Sequence, residues 1–102
     1  MLSLYMDKKY LDELKKIVLE MLGDEKTKII LFGSRARKDN YSGSDIDIGL
    51  IPSGKIDTTK ITLLREKIEN MNIPFKVDIV NFAETSQDFK QEALKEAVIW
   101  KD

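Results

Sequence analysis

Apolar residues near the start of the chain recur at helical spacing. Leu11, Leu14, Val18, Met21 and Leu22 share one face between Asp7 and Leu22, and Gly23 supplies a C-terminal stop. The period then changes. Thr27 to Phe32 carries the unbroken run Ile29-Ile30-Leu31-Phe32, which predicts a strand buried on both faces and closed by a turn at Gly33-Ser34. A short basic segment and the polar loop Asp39-Asn40-Tyr41-Ser42-Gly43 follow. Ser44 to Ile51 then alternates: Ile46, Ile48 and Leu50 point to the core, leaving Asp45, Asp47 and Gly49 on the other face. Pro52-Ser53-Gly54 breaks this strand, and Asp57 caps a helix striped by Ile61, Leu64, Ile68 and Met71 that ends at Asn72 and Pro74. Phe75 to Phe82 predicts a third strand, with Val77 and Ile79 opposed to Lys76, Asp78 and Val80. Thr85 or Ser86 caps a last helix whose apolar face, Phe89, Ala93, Ala97 and Trp100, runs to the end of the chain.

The predicted order is α-β-β-α-β-α, an α+β fold. A loop of roughly a dozen residues joins the first two strands, whereas a helix carries the chain from the second to the third, so the sheet should be small and mixed. Helices are expected on one face, leaving the acids on the open one. No repeat or low-complexity linker interrupts the pattern, and 102 residues support one core, so residues 1–102 read as one domain.

Composition narrows the chemistry. The chain has neither cysteine nor histidine, which excludes zinc sites, thiol nucleophiles, imidazole bases and disulfides together, leaving carboxylates and hard cations. Seventeen basic and eighteen acidic residues give a net charge of −1, with no global attraction for nucleic acid. A small ligand or a protein partner fits better. No apolar run approaches the ~20 residues of a membrane span and the start lacks the order of a signal peptide, so the cytoplasm is the expected compartment.

The densest chemistry lies in Gly33-Ser34-Arg35-Ala36-Arg37 and, with ten residues between it and the serine, Asp45-Ile46-Asp47. A glycine-serine turn closing a buried strand can aim backbone N–H groups at an anion. Two carboxylates two residues apart on a strand have Cα atoms about 7 Å apart and can reach one cation. Alone, an Asp-x-Asp describes a solvated strand face and a short basic run describes a solvated patch. The turn, the basic residues Arg35, Arg37 and Lys38, the paired acids and Asp78 on another strand are consistent with one phosphate-and-metal site. Two rival motifs fail. Gly49-Leu50-Ile51-Pro52-Ser53-Gly54-Lys55-Ile56 nears a Walker A loop, but Ile56 stands where a Mg²⁺-binding hydroxyl is needed. The Asp39 loop places Tyr41 and Gly43 where an EF-hand needs oxygen ligands.

The Gly-Ser-Arg-Ala-Arg core, the Ser-Asp-Ile-Asp block ending at Asp47, the Val77-Asp78-Ile79-Val80 strand and the length together resemble the minimal nucleotidyltransferases of the DNA polymerase β-like superfamily. Lys38 departs from the family pattern, in which the basic segment often closes with glycine. The resemblance covers nearly the whole chain. It extends to the antitoxin half of two-component modules whose other half is a helical HEPN-type ribonuclease toxin. It implies a protein adenylyltransferase that transfers AMP from ATP to a tyrosine of that toxin, as part of a hetero-oligomer. Catalysis would rest on Asp45, Asp47 and Asp78 holding two Mg²⁺ or Mn²⁺ ions, with Gly33, Ser34, Arg35 and Arg37 binding the nucleotide. Two other readings stay open: an interaction protein that neutralises its partner by binding alone, or transfer to a small molecule such as an aminoglycoside, for which a homodimer would be needed. Trp100 can either close the core or anchor a partner.

Overall fold

A computed structural model describes residues 2–33, 36 and 45–102, with the side chains of 2–7 left aside. Helix α1 spans Leu2–Leu22 and leads into β1, Thr27–Phe32. Strand β2 is Ile46–Pro52, helix α2 Thr58–Glu69 and strand β3 Val77–Asn81. A 3₁₀ turn, Phe82–Glu84, precedes helix α3, Gln87–Leu94, and strand β4, Val98–Lys101. The caps follow side-chain chemistry: Asp57 accepts from the Thr59 N–H at the start of α2, and Ser86 accepts from the Phe89 N–H at the start of α3.

The sheet is mixed, in the order β3-β2-β1-β4. β1 runs antiparallel to both β2 and β4, whereas β2 and β3 are parallel and joined by the α2 crossover. Strand parity then divides the core. Ile29, Leu31, Ile46, Ile48, Leu50 and Ile79 meet Leu14, Val18 and Leu22 of α1 and Ile61, Leu64 and Ile68 of α2 on one face. On the opposite face Ile30 and Phe32 pack with Phe82, and Ala93 and Ala97 close over them. The two long helices thus share one face, and the short α3 lies over part of the other.

The last element differs from the expected helix. Helix α3 stops at Leu94, with Lys95 as its C-cap, and Val98–Lys101 pairs with β1 as an edge strand. Ala93 and Ala97 pack with the Phe82 cluster while Trp100 packs against the α1/α2 core, so these residues do not share one helical face. Val98, Ile99 and Trp100 are β-branched or aromatic and suit a strand. Of the two roles considered for Trp100, the fold gives it core packing. No described helix is long and apolar enough to cross a membrane.

Candidate active site

Register brings the predicted acids together. Phe32 of β1 pairs with Asp47 of β2, and Asp47 pairs with Asp78 of β3, so the three form one row across the sheet. The row lies at the C-terminal end of β1, where Gly33 turns the chain with φ of +78°. Glycine is required there twice over. Positive φ disfavours a Cβ, and a Cβ on Gly33 would stand 2.5 Å from the Asp47 Oδ2 atom. The turn therefore packs directly on the Asp47 carboxylate.

Asp45 lies just before β2 and is exposed. Its charge still reaches the row. Partial burial, then the charges of Asp78 and Asp45, push the Asp47 carboxyl above its ordinary value, and Lys76 opposes them. The Lys76 Nζ lies 3.9 Å from the Asp78 Oδ2, a solvent-exposed pair of small worth. The Ile46 N–H donates to the Lys76 carbonyl at 2.8 Å, extending the parallel pairing to the mouth of the site. Hard carboxylate oxygens whose mutual repulsion a positive ion would relieve fit a divalent cation such as Mg²⁺. Among the described residues no three acidic side chains converge closely enough to hold one ion together. The close pair is Asp47 and Asp78.

A cleft of about 740 Å³ opens over this row, and Phe32, Gly33, Asp47, Asp78, Phe89 and Glu92 are among its walls. That size suits a nucleotide-sized ligand. Its aromatic side depends on Gly49, whose missing Cβ leaves room for the Phe82 ring against the sheet. Phe89 was expected only as part of an apolar helix face; its place in the cleft depends on where α3 crosses the sheet. Lys76, just before β3, likewise has no role in the sequence pattern, although its Nζ reaches Asp78. Ser34, Arg35, Arg37 and Lys38, expected at the phosphate turn, lie outside the described residues. The near-Walker segment begins within β2 and leaves it at the sheet end away from Asp47, where the Ser53 N–H and hydroxyl both donate to the Lys26 carbonyl.

A sheet end with a glycine turn packed on Asp47, and Asp78 beside it on the parallel strand, is one that could serve nucleotidyl transfer, and the comparisons place the chain among nucleotidyltransferases. The family model described as Polymerase beta, Nucleotidyltransferase matches residues 9–102, and the chain belongs to this family. Among relatives, the Haemophilus influenzae protein named Probable protein adenylyltransferase MntA is 30% identical over 84 residues, covering 82% of this chain and 73% of that protein. The fold is shared with a toxin-antitoxin crystal structure containing AMP-PNP, with a TM-score of 0.63, 24% identity, and coverage of 84% of this chain and 71% of that one. It is also shared with the complex of tri-AMPylated Shewanella oneidensis HEPN toxin and MNT antitoxin, with a TM-score of 0.59, 22% identity, and coverage of 87% and 70% respectively.

Proposed function

We propose that this chain is a metal-dependent protein adenylyltransferase of the cytoplasm that moves AMP from ATP to a tyrosine of a HEPN-type helical ribonuclease, and so acts as its antitoxin. The observation that carries the reading is the pairing of Asp47 with Asp78 beside the Gly33 turn, inside one cleft. The relative named as an adenylyltransferase and the neighbour in complex with an AMPylated HEPN toxin support the acceptor.

In this reading Asp45, Asp47 and Asp78 would between them hold two Mg²⁺ or Mn²⁺ ions, which would lower the pKa of the attacking hydroxyl and offset charge on the leaving pyrophosphate. Ser34 and the turn N–H groups bind the β- and γ-phosphates, with Arg35 or Arg37 offsetting their charge. The tyrosine oxygen forms a bond to the α-phosphorus as the bond to pyrophosphate breaks, with Asp78 taking the phenolic proton. A chain without histidine can run this chemistry because carboxylates and a cation do the work of an imidazole.

The test incubates the candidate ribonuclease with this protein, ATP and Mg²⁺, then separates the two, weighs the ribonuclease and assays it. The expected result is a gain of one or more AMP units on tyrosine and inhibition that outlasts separation. No gain, with full recovery of ribonuclease activity, overturns transfer in favour of neutralisation by binding.

A further inference from the structure

The cleft carries a feature that the transfer chemistry leaves unused. Phe89 is 46% exposed, yet its ring is held from two sides. It stacks on Phe82 with centroids 5.6 Å apart and planes at 29°, and it meets Phe32 edge-on at 6.1 Å and 83°. Phe32 and Phe82 are themselves buried and in edge contact at 5.3 Å. A large apolar ring this exposed loses the benefit of burial, but two buried rings fix its orientation before any ligand arrives. The rest of the ring borders the same cleft as Asp47 and Asp78.

We infer that Phe89 is the stacking platform for the purine base of the nucleotide. The inference rests on the nucleotidyl-transfer reading and adds a base subsite to it. Charge decides which part of ATP lies there. Glu92, Lys95 and Glu96 line the α3 side of the same cleft, and Lys95 donates to the Glu92 Oε1 at 2.9 Å. Because Glu92 already holds Lys95, this wall offers a triphosphate no free cation among the described residues, whereas a neutral flat ring needs none. Continuity along the chain agrees: Phe32, which supports Phe89, directly precedes Gly33 at the turn, so the support of the base platform and the turn are consecutive residues. Stacking on a phenyl ring offers no hydrogen-bond readout, so the platform favours purines as a class over adenine in particular.

Titration calorimetry with Mg²⁺ present, using ATP and inorganic tripolyphosphate as probes, tests this. Phe89→Ala should weaken ATP about tenfold while leaving tripolyphosphate unchanged. Phe89→Leu keeps an apolar cover on Phe82 and should lose nearly as much, whereas Phe89→Tyr should bind ATP as the parent does. Equal losses for both probes, or unchanged ATP affinity in the Ala and Leu variants, overturn the platform. So does a variant that keeps its ATP affinity but shows a raised KM for the protein acceptor, which would assign the ring to the acceptor side. A parent protein that binds neither probe defeats the nucleotidyl-transfer reading itself.

Discussion

At one end of the sheet Asp47 and Asp78 stand side by side with Asp45 beyond them, and among the described residues Lys76 makes a loose contact with Asp78. At the other end the same kinds of residue are paired off. Lys60 Nζ reaches Glu25 Oε2 at 3.0 Å and Asp24 Oδ1 at 3.2 Å, and the Asp57 N–H donates to Glu25 Oε1 at 3.1 Å. Lys101 closes the group by donating to the Glu25 and Thr27 carbonyls at 2.8 and 2.9 Å. The titration directions are opposite too. Asp47 is pushed up, whereas a hydrogen bond from Lys60 lowers Asp24, a hydrogen bond from the Asp57 N–H lowers Glu25, and Lys60 is raised by both acids. One end holds the turn, the crossover helix and the last strand in place. Among the described residues, the other sets carboxylates close enough to repel one another, a repulsion that a bound cation would relieve.

The strongest way to break this contrast is Asp47→Asn. Removing one carboxylate from the acid row should cut AMP transfer at least about a hundredfold, measured as adduct formation by mass spectrometry. Stability should move the other way. A carboxyl raised above 3.8 on folding loses stability as pH rises from that value through the folded one, so the parent carries the full cost at neutral pH. The Asn variant should therefore melt at or above the parent at neutral pH, with the gain vanishing in acid. A variant that melts lower at neutral pH would show that Asp47 is structural.

Gly33→Ala comes next. A left-handed alanine costs about 1 kcal/mol, and its Cβ would also displace the Asp47 carboxylate. Urea unfolding should register that loss and transfer should fall with it. Combining it with Asp47→Ala sharpens the comparison, because the second cost should shrink once the carboxylate is gone.

The smallest effect belongs to the paired end. Lys60→Met should lower the melting temperature slightly and leave transfer unchanged. Because Asp24 and Glu25 are lowered, their contribution is present above 3.8 and 4.5 and is lost as pH falls through the lower folded values. Lys60→Met should flatten that acid limb, and added salt should narrow its gap from the parent. A gap that persists in high salt would mean that Lys60 acts through its packed stem rather than its charge.

The site was legible where period and parity decide it. Alternation along Ile46 to Leu50 placed Asp47 opposite the core, and the same reasoning placed Asp78 on the matching face of β3. Their direct pairing was not readable, because register across a parallel pair is set by the α2 crossover rather than by either strand alone. The C-terminal element was misread for a related reason. Ala93, Ala97 and Trp100 fit helical spacing, yet the helix ends at Leu94 and the next residues fill the free edge of β1. That edge exists only in three dimensions. The Phe89 platform stayed hidden with it, since its exposure depends on Phe82 seating against Gly49.

The order of strands also governs when the molecule can become complete during synthesis. β1 is made early, but its outer neighbour is β4, so Ile30 waits for Ile99 and Leu31 for Val98. At about 5–20 residues per second, the nascent chain spends several seconds with the outer edge of β1 unpaired. During that interval the apolar strand that ends in the Gly33 turn is exposed to other chains and to chaperones. Ribosome-bound intermediates stalled before Val98 should accordingly lack the cleft wall and the closed sheet, and nucleotide handling should begin only after β4 has cleared the exit tunnel.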